Sequence, residues 1–147
     1  MSIPPKAQDQ FLMNENEVIE RTASWLKGKG YLIESKSRDN VLGIDVVAFH
    51  PRKNERFFIE AKGNIKNKSI DKKQFTGNQI AHHFAVQLWQ ICELMHRHRG
   101  EKKARFGIAN PYVARIINRI EVSRTALSCL PIELIWVTPK NVRSEKL

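Results

Sequence analysis

A chain of 147 residues, 41% hydrophobic and 27% charged, is long enough for one core, and its composition excludes a disordered polymer. Its apolar runs fall far short of the roughly 20 residues a membrane helix needs, which excludes a spanning segment of that kind. The 25 Lys and Arg against 15 Asp and Glu leave a net charge of +10, which favours a polyanionic partner, nucleic acid before membrane.

A single domain is therefore expected over 1–147, with 1–12 as a loose arm, because Pro4 and Pro5 interrupt any regular element there. The start MSIPPKAQDQ has no apolar stretch after a basic residue, so no secretory signal is expected and a cytoplasmic location is the default. Asn14 caps a first helix with Glu17 three residues on, and Val18, Thr22, Trp25 and Leu26 form its apolar stripe up to Gly28 and Gly30. YLIESKS reads as a strand, followed by a polar turn at Arg38–Asn40 and by GIDVVAFH, a second strand. PRKN makes a turn and RFFIEAK a third strand, followed by a lysine-rich loop from Asn64 to Lys73. Ile80, Phe84, Leu88, Ile91 and Met95 mark a long amphipathic helix that ends before Gly100. ARFGIA is a fourth strand, and Asn110 as cap with Pro111 as first helical residue opens another helix, with Val113, Ile116, Ile117 and Ile120 inward. IELIWV is the last strand, and 140–147 reads as a frayed tail. The order α-β-β-β-α-β-α-β predicts an α/β fold with a mixed central sheet flanked by helices.

The run FFIEAKG carries the chemistry. Alternation puts Phe58, Glu60 and Lys62 on one face of the third strand, and a tight turn at PRKN sets His50 opposite Glu55. Counting back along the hairpin brings Asp45 opposite Glu60, with Cβ atoms about 4.5–5.5 Å apart. Two opposed carboxylates repel and need a compensating charge. A hydrated Mg²⁺, with Mn²⁺ as a substitute, meets that need through oxygen ligands. Lys62 then stands beside the metal, where it can orient a metal-bound water or offset charge on a phosphate.

Gly43-Ile44-Asp45 followed by Ile59-Glu60-Ala61-Lys62-Gly63 resembles the PD-(D/E)XK nuclease superfamily, and the order of elements from about Asn14 to Val137 is similar to its common core. The resemblance implies a restriction endonuclease-like fold and a Mg²⁺-dependent endonuclease hydrolysing phosphodiester bonds in DNA, double-stranded or branched. Asp45 and Glu60 would be ligands, Ala61 would lend its carbonyl, and Lys62 would serve the nucleophile. Ile44 stands where the family's name has proline. The resemblance also implies a glutamate on the first helix, where Glu20 is preferred because Glu17 is used in capping, and a glutamine on the next helix, Gln79 ahead of Gln87. The family role has a rival from another class, a DNA-binding or assembly protein that keeps the fold without cutting; a basic protein-interaction module is a third reading.

Lys66, Lys68, Lys72 and Lys73 follow the active strand directly, and Arg97, Arg99, Lys102, Lys103 and Arg105 form a second basic cluster; Lys66, Lys68, Lys72, Lys73, Arg97, Arg99, Lys102 and Lys103 are candidate phosphate contacts that position a duplex without reading its sequence. Arg115, Arg119 and Arg124 are expected on the outer face of the later helix. His82, His83, His96 and His98 lack zincin spacing and read as surface or phosphate-facing residues. Cys92 and Cys129 have no metal-site or disulfide spacing. The three tryptophans are assigned to the core. With little room for a recognition domain, specificity is expected from loops, a homodimer or a partner subunit.

Overall fold

The computed structural model describes residues 8–37, 43–68 and 70–147. Its elements are α1 (Glu15–Gly28), β1 (Leu32–Lys36), β2 (Val46–His50), β3 (Glu55–Ala61), α2 (Gly77–Arg97), β4 (Ala104–Pro111), α3 (Ala114–Glu121), α4 (Arg124–Leu127), β5 (Ile132–Val137) and β6 (Val142–Lys146). They build an α/β fold with one six-stranded sheet in the order β1-β2-β3-β4-β5-β6. β1, β2 and β3 pair antiparallel, β3, β4 and β5 parallel, and β6 returns antiparallel to β5. The two parallel steps run the same way across the sheet, so crossovers of one hand put α2 and α3 on one face. α1 covers the other.

Alternation along the strands divides the core accordingly. Phe58, Phe106, Ile108, Leu134 and Trp136 pack with Ile80, Ile91, Leu94, Ile116 and Ile120 of α2 and α3. Val46, Ala48, Phe57, Ile59, Ala61, Ala109 and Ile135 pack with Val18, Ile19 and Leu26 of α1. Each large side chain buried in these layers contributes about 1.5–3 kcal/mol from apolar area alone.

The expected order is short by a strand and a helix. The tail read as frayed is β6, whose residues are half-buried or exposed and include Arg143, Glu145 and Lys146. An edge strand needs little apolar signal, because its order comes from the ladder to β5. Asn110 and Pro111 do not open a helix; β4 runs on to Pro111, paired with Val137, and α3 starts at Ala114. Asn110 is buried there because its amide donates to Gln87 Oε1 at 3.1 Å. The described part of the arm is tied down: Asp9 is gripped by Arg115 through two bonds of 2.7 Å, and Arg115 also donates to the Phe75 carbonyl. Arg115 is thus a clasp and not an outward cation. Trp89 is 67% exposed, which removes it from the core, and His98 stacks on Phe58 at 4.1 Å between ring centres. The turn expected at Arg38–Asn40 lies outside the described residues. Among the described residues no helix is long and apolar enough to cross a membrane.

Where β3 ends, the chain crosses the start of α1 almost in contact. A Cβ on Gly63 would lie 2.5 Å from the Met13 carbonyl oxygen and 2.6 Å from Glu15 N. The fully buried Asn64 locks the crossing, accepting from Met13 N–H at 2.7 Å and donating to the Phe11 carbonyl at 2.8 Å. Gly63→Ala forces two backbones apart and is expected to lose about 1–3 kcal/mol in chemical denaturation. A loss within error of zero would show that this crossing yields freely.

Candidate active site

The hairpin has the expected register: His50 faces Glu55 and Val46 faces Ile59. The ladder stops one pair short of Asp45, and its carboxylate is held instead by side-chain geometry. Oδ2 accepts the Ala61 N–H at 2.7 Å and Oδ1 accepts the Ser37 hydroxyl at 2.8 Å. Asp45 is 6% and Glu60 4% exposed, so both carboxyls are withdrawn from water. Burial first, then the charge of Asp45 and a hydrogen bond between the two carboxyls, push Glu60 up to about 9, against the pull of Lys62. Burial and the neighbouring charge thus favour the protonated form of the Glu60 carboxyl, as expected where like charges are brought together.

Lys62 continues past the end of β3, its N–H donating to the Ala109 carbonyl at 3.0 Å. Its ammonium bonds Glu15 at 3.3 Å. Burial raises the Glu15 carboxyl; Lys62 works against this and Asp45 with it. The first-helix acid at the site is thus Glu15. Glu20 lies five residues on, roughly 140° around the helix, and pairs with Lys36 at 2.7 Å. Lys36 opposes Val46, whose side chain packs under α1, so Glu20 is on the far face of the sheet from Asp45 and Glu60. Glu17 is in the first turn, its N–H donating to the Asn14 cap at 2.9 Å. Nothing local in the sequence singles out Glu15; only the Gly63 crossing brings it to Lys62.

The two glutamines take different places. Gln79 forms a capping box with Thr76 and lines the cavity beside Lys62. Gln87 is fully buried and donates to the carbonyls of Glu60 at 2.9 Å and Ala109 at 3.1 Å, fastening α2 to the active strand. His83, four residues after Gln79 and so on the same helix face, also lines the cavity. Ala61 serves the site through its N–H, which clamps Asp45.

The basic clusters separate. Lys66 lines the cavity and Lys73 lines the adjoining depression with it; Lys68 and Lys72 are exposed on the same loop. Arg97 and Arg99 lie at the far end of α2, and Lys103 is bonded through its carbonyl to Arg56 at the start of β3. From Arg56 to Ala61 is about 17 Å at 3.3 Å per residue, so the second cluster is at the opposite end of the sheet from the site.

Among the described residues no three His, Cys, Asp or Glu side chains gather into a metal cage. Mg²⁺ makes a smaller demand, since it keeps several waters and takes one or two carboxylates, the number that Asp45 and Glu60 present side by side. Compared with family models, curated proteins and solved structures, the chain has no match.

The raised Glu60 has a consequence for stability. Between its ordinary value of 4.5 and about 9 the folded state holds a proton that the unfolded state releases, so stability falls as pH rises through that window. Glu60→Gln, which mimics the protonated form, is expected to be more stable than the parent at pH 8, by up to about 5 kcal/mol, and similar at pH 4. Denaturant midpoints across pH measure this; parallel curves for the two proteins would contradict it.

Proposed function

We propose that this protein is a Mg²⁺-dependent nuclease of restriction endonuclease-like fold that hydrolyses phosphodiester bonds, with DNA as substrate. The observation that carries the reading is the meeting of Asp45, Glu60 and Lys62 at the end of the hairpin, two buried carboxyls that interact with each other and an ammonium that also lines a polar cavity. When bound, Mg²⁺ would supply a Lewis acid and a water of lowered pKa. Asp45 and Glu60 would hold it, Asp45 already fixed by Ser37 and Ala61. Lys62 orients the attacking water or meets the charge that grows on the phosphate, and Glu15 keeps the ammonium aimed. Lys66, Lys68, Lys72 and Lys73 lie along the next stretch of chain, suited to phosphate contacts that position a duplex.

Purified protein incubated with plasmid, linear and branched DNA is expected to cut only with Mg²⁺ or Mn²⁺ and not in EDTA. Asp45→Asn and Lys62→Ala should each lower kcat/KM by about 10²-fold or more, whereas Glu20→Gln should leave it near the parent value. Cutting that survives Asp45→Asn or Lys62→Ala would overturn the site. Salt-dependent DNA binding with no cutting under any metal would favour the non-cleaving DNA-binding reading.

A further inference from the structure

Towards its carboxyl end α2 carries a second depression, on the side turned away from the core. It holds about 580 Å³ and is lined by Trp89, Cys92, Glu93, His96, Arg97 and Arg99. A single exposed apolar side chain is ordinary on a protein surface. The largely exposed Trp89 differs in its company. Trp89, Cys92, His96 and Arg99 are spaced 3, 4 and 3 apart, as the a and d positions of a heptad are, and so form a seam of the kind that receives another helix. The buried stripe of α2, through Ile80, Gln87, Ile91 and Leu94, is a separate one. Arg99, just past the helix, folds back on the seam by donating to the His96 carbonyl at 2.7 Å. The groove also carries both signs of charge: Glu93 is exposed beside Arg97 and Arg99. Glu93 repels a polyanion, and a partner of either single sign leaves part of the groove mismatched. A second copy of this chain matches it. When two α2 helices lie antiparallel about a two-fold axis level with Leu94, the lining set pairs with itself: Trp89 meets Arg99, Glu93 meets Arg97 and Cys92 meets His96, each twice. An indole under a guanidinium is a favourable cation–π contact, and Glu93 with Arg97 is an ion pair.

We propose that this face of α2 is a homodimer interface, in which two copies pack their α2 helices antiparallel across the Trp89 seam. The inference does not rest on the nuclease reading. Gln79 lies 15 residues before Leu94, about 22 Å along the helix. The two cavities beside Lys62 are therefore at opposite ends of the helix pair, and both stay open. About three helical turns make a small contact, so the association depends on concentration. Each copy also carries a net charge of +10, which opposes it at long range. Salt screens that repulsion and leaves the apolar seam intact, so the dimer tightens as salt rises. Contacts to a polyanion do the reverse.

Sedimentation equilibrium of the full chain, freed of nucleic acid, over a range of concentrations at low and high salt tests this. The expected result is a monomer–dimer equilibrium whose Kd falls as salt rises. Trp89→Ser, a change at an exposed position that should keep the parent's circular dichroism spectrum, is expected to raise Kd about tenfold or more. Glu93→Arg and Arg97→Glu should each raise it, and the two together should return it towards the parent value, because the pair is then reversed and not removed. A monomer at every concentration and salt overturns the interface, as does a dimer indifferent to Trp89→Ser or one that dissociates as salt rises. A double variant weaker than both single ones overturns the register. A monomer whose Trp89 fluorescence, taken as the difference from Trp89→Ser, is quenched by a DNA duplex or by poly-glutamate overturns the dimer and gives the face to that polyanion.

Discussion

The crossing of β3 over the start of α1 is the constraint on which the site depends. Gly63 has no side chain, so the two backbones approach to a distance that any Cβ would forbid. Asn64 then answers the polar groups of Phe11 and Met13 that this approach buries, and its own carbonyl takes the Phe75 N–H at 2.8 Å. Three segments distant in sequence are thereby held at one point: the arm, the exit of the active strand and the lead-in to α2. Glu15, Lys62, Gln79 and His83 face one cavity as a result. The clasp of Arg115 on Asp9 and on the Phe75 carbonyl closes the same junction from the α3 side.

Around that junction the fold keeps a deliberate electrostatic imbalance. Asp45, Glu60 and Glu15 bring three carboxyls close to a single ammonium, Lys62, in a protein whose net charge is +10. Surface acids in the same chain are spent on arginines, as in Glu34 with Arg56. The site acids are instead withdrawn from water and left short of countercharge. Such an arrangement lowers stability at neutral and alkaline pH.

How much of this was legible follows from the range of each interaction. The hairpin was, since a four-residue turn and two-residue alternation fix the register without reference to the rest of the chain, and Asp45 was found by counting. The amphipathic stripe of α2 was legible for the same reason. Glu15 was not, because a glutamate in the first turn of a helix is already accounted for by the helix dipole. Only a tertiary contact at Gly63 distinguishes it from Glu17 and Glu20. Asn110 misled because a cap residue followed by proline is a sound local signal. The buried chain from Asn110 through Gln87 to the carbonyls of Glu60 and Ala109 overrides it with hydrogen bonds across the core. β6 escaped notice because an edge strand is specified by its neighbour more than by its own sequence.

The net charge of +10 also reads differently once its members are placed. Much of the arginine is structural: Arg105 bridges Glu133, Glu55 and Tyr31, Arg124 joins Glu121 to Glu145, and Arg56 and Arg115 are committed as above. An arginine held by a bidentate carboxylate has little field left for a distant phosphate. The lysines between Lys66 and Lys73 are exposed on the loop that leaves β3, so the cations best placed to meet a polyanion follow directly on the strand that carries Glu60. Lysine suits this duty, being a mobile point charge that can follow a phosphate backbone without demanding one geometry. A total taken from composition thus overstates the positive field over most of the surface and understates its concentration beside Lys62. A polyanion drawn by that field would be brought to the cavity mouth first.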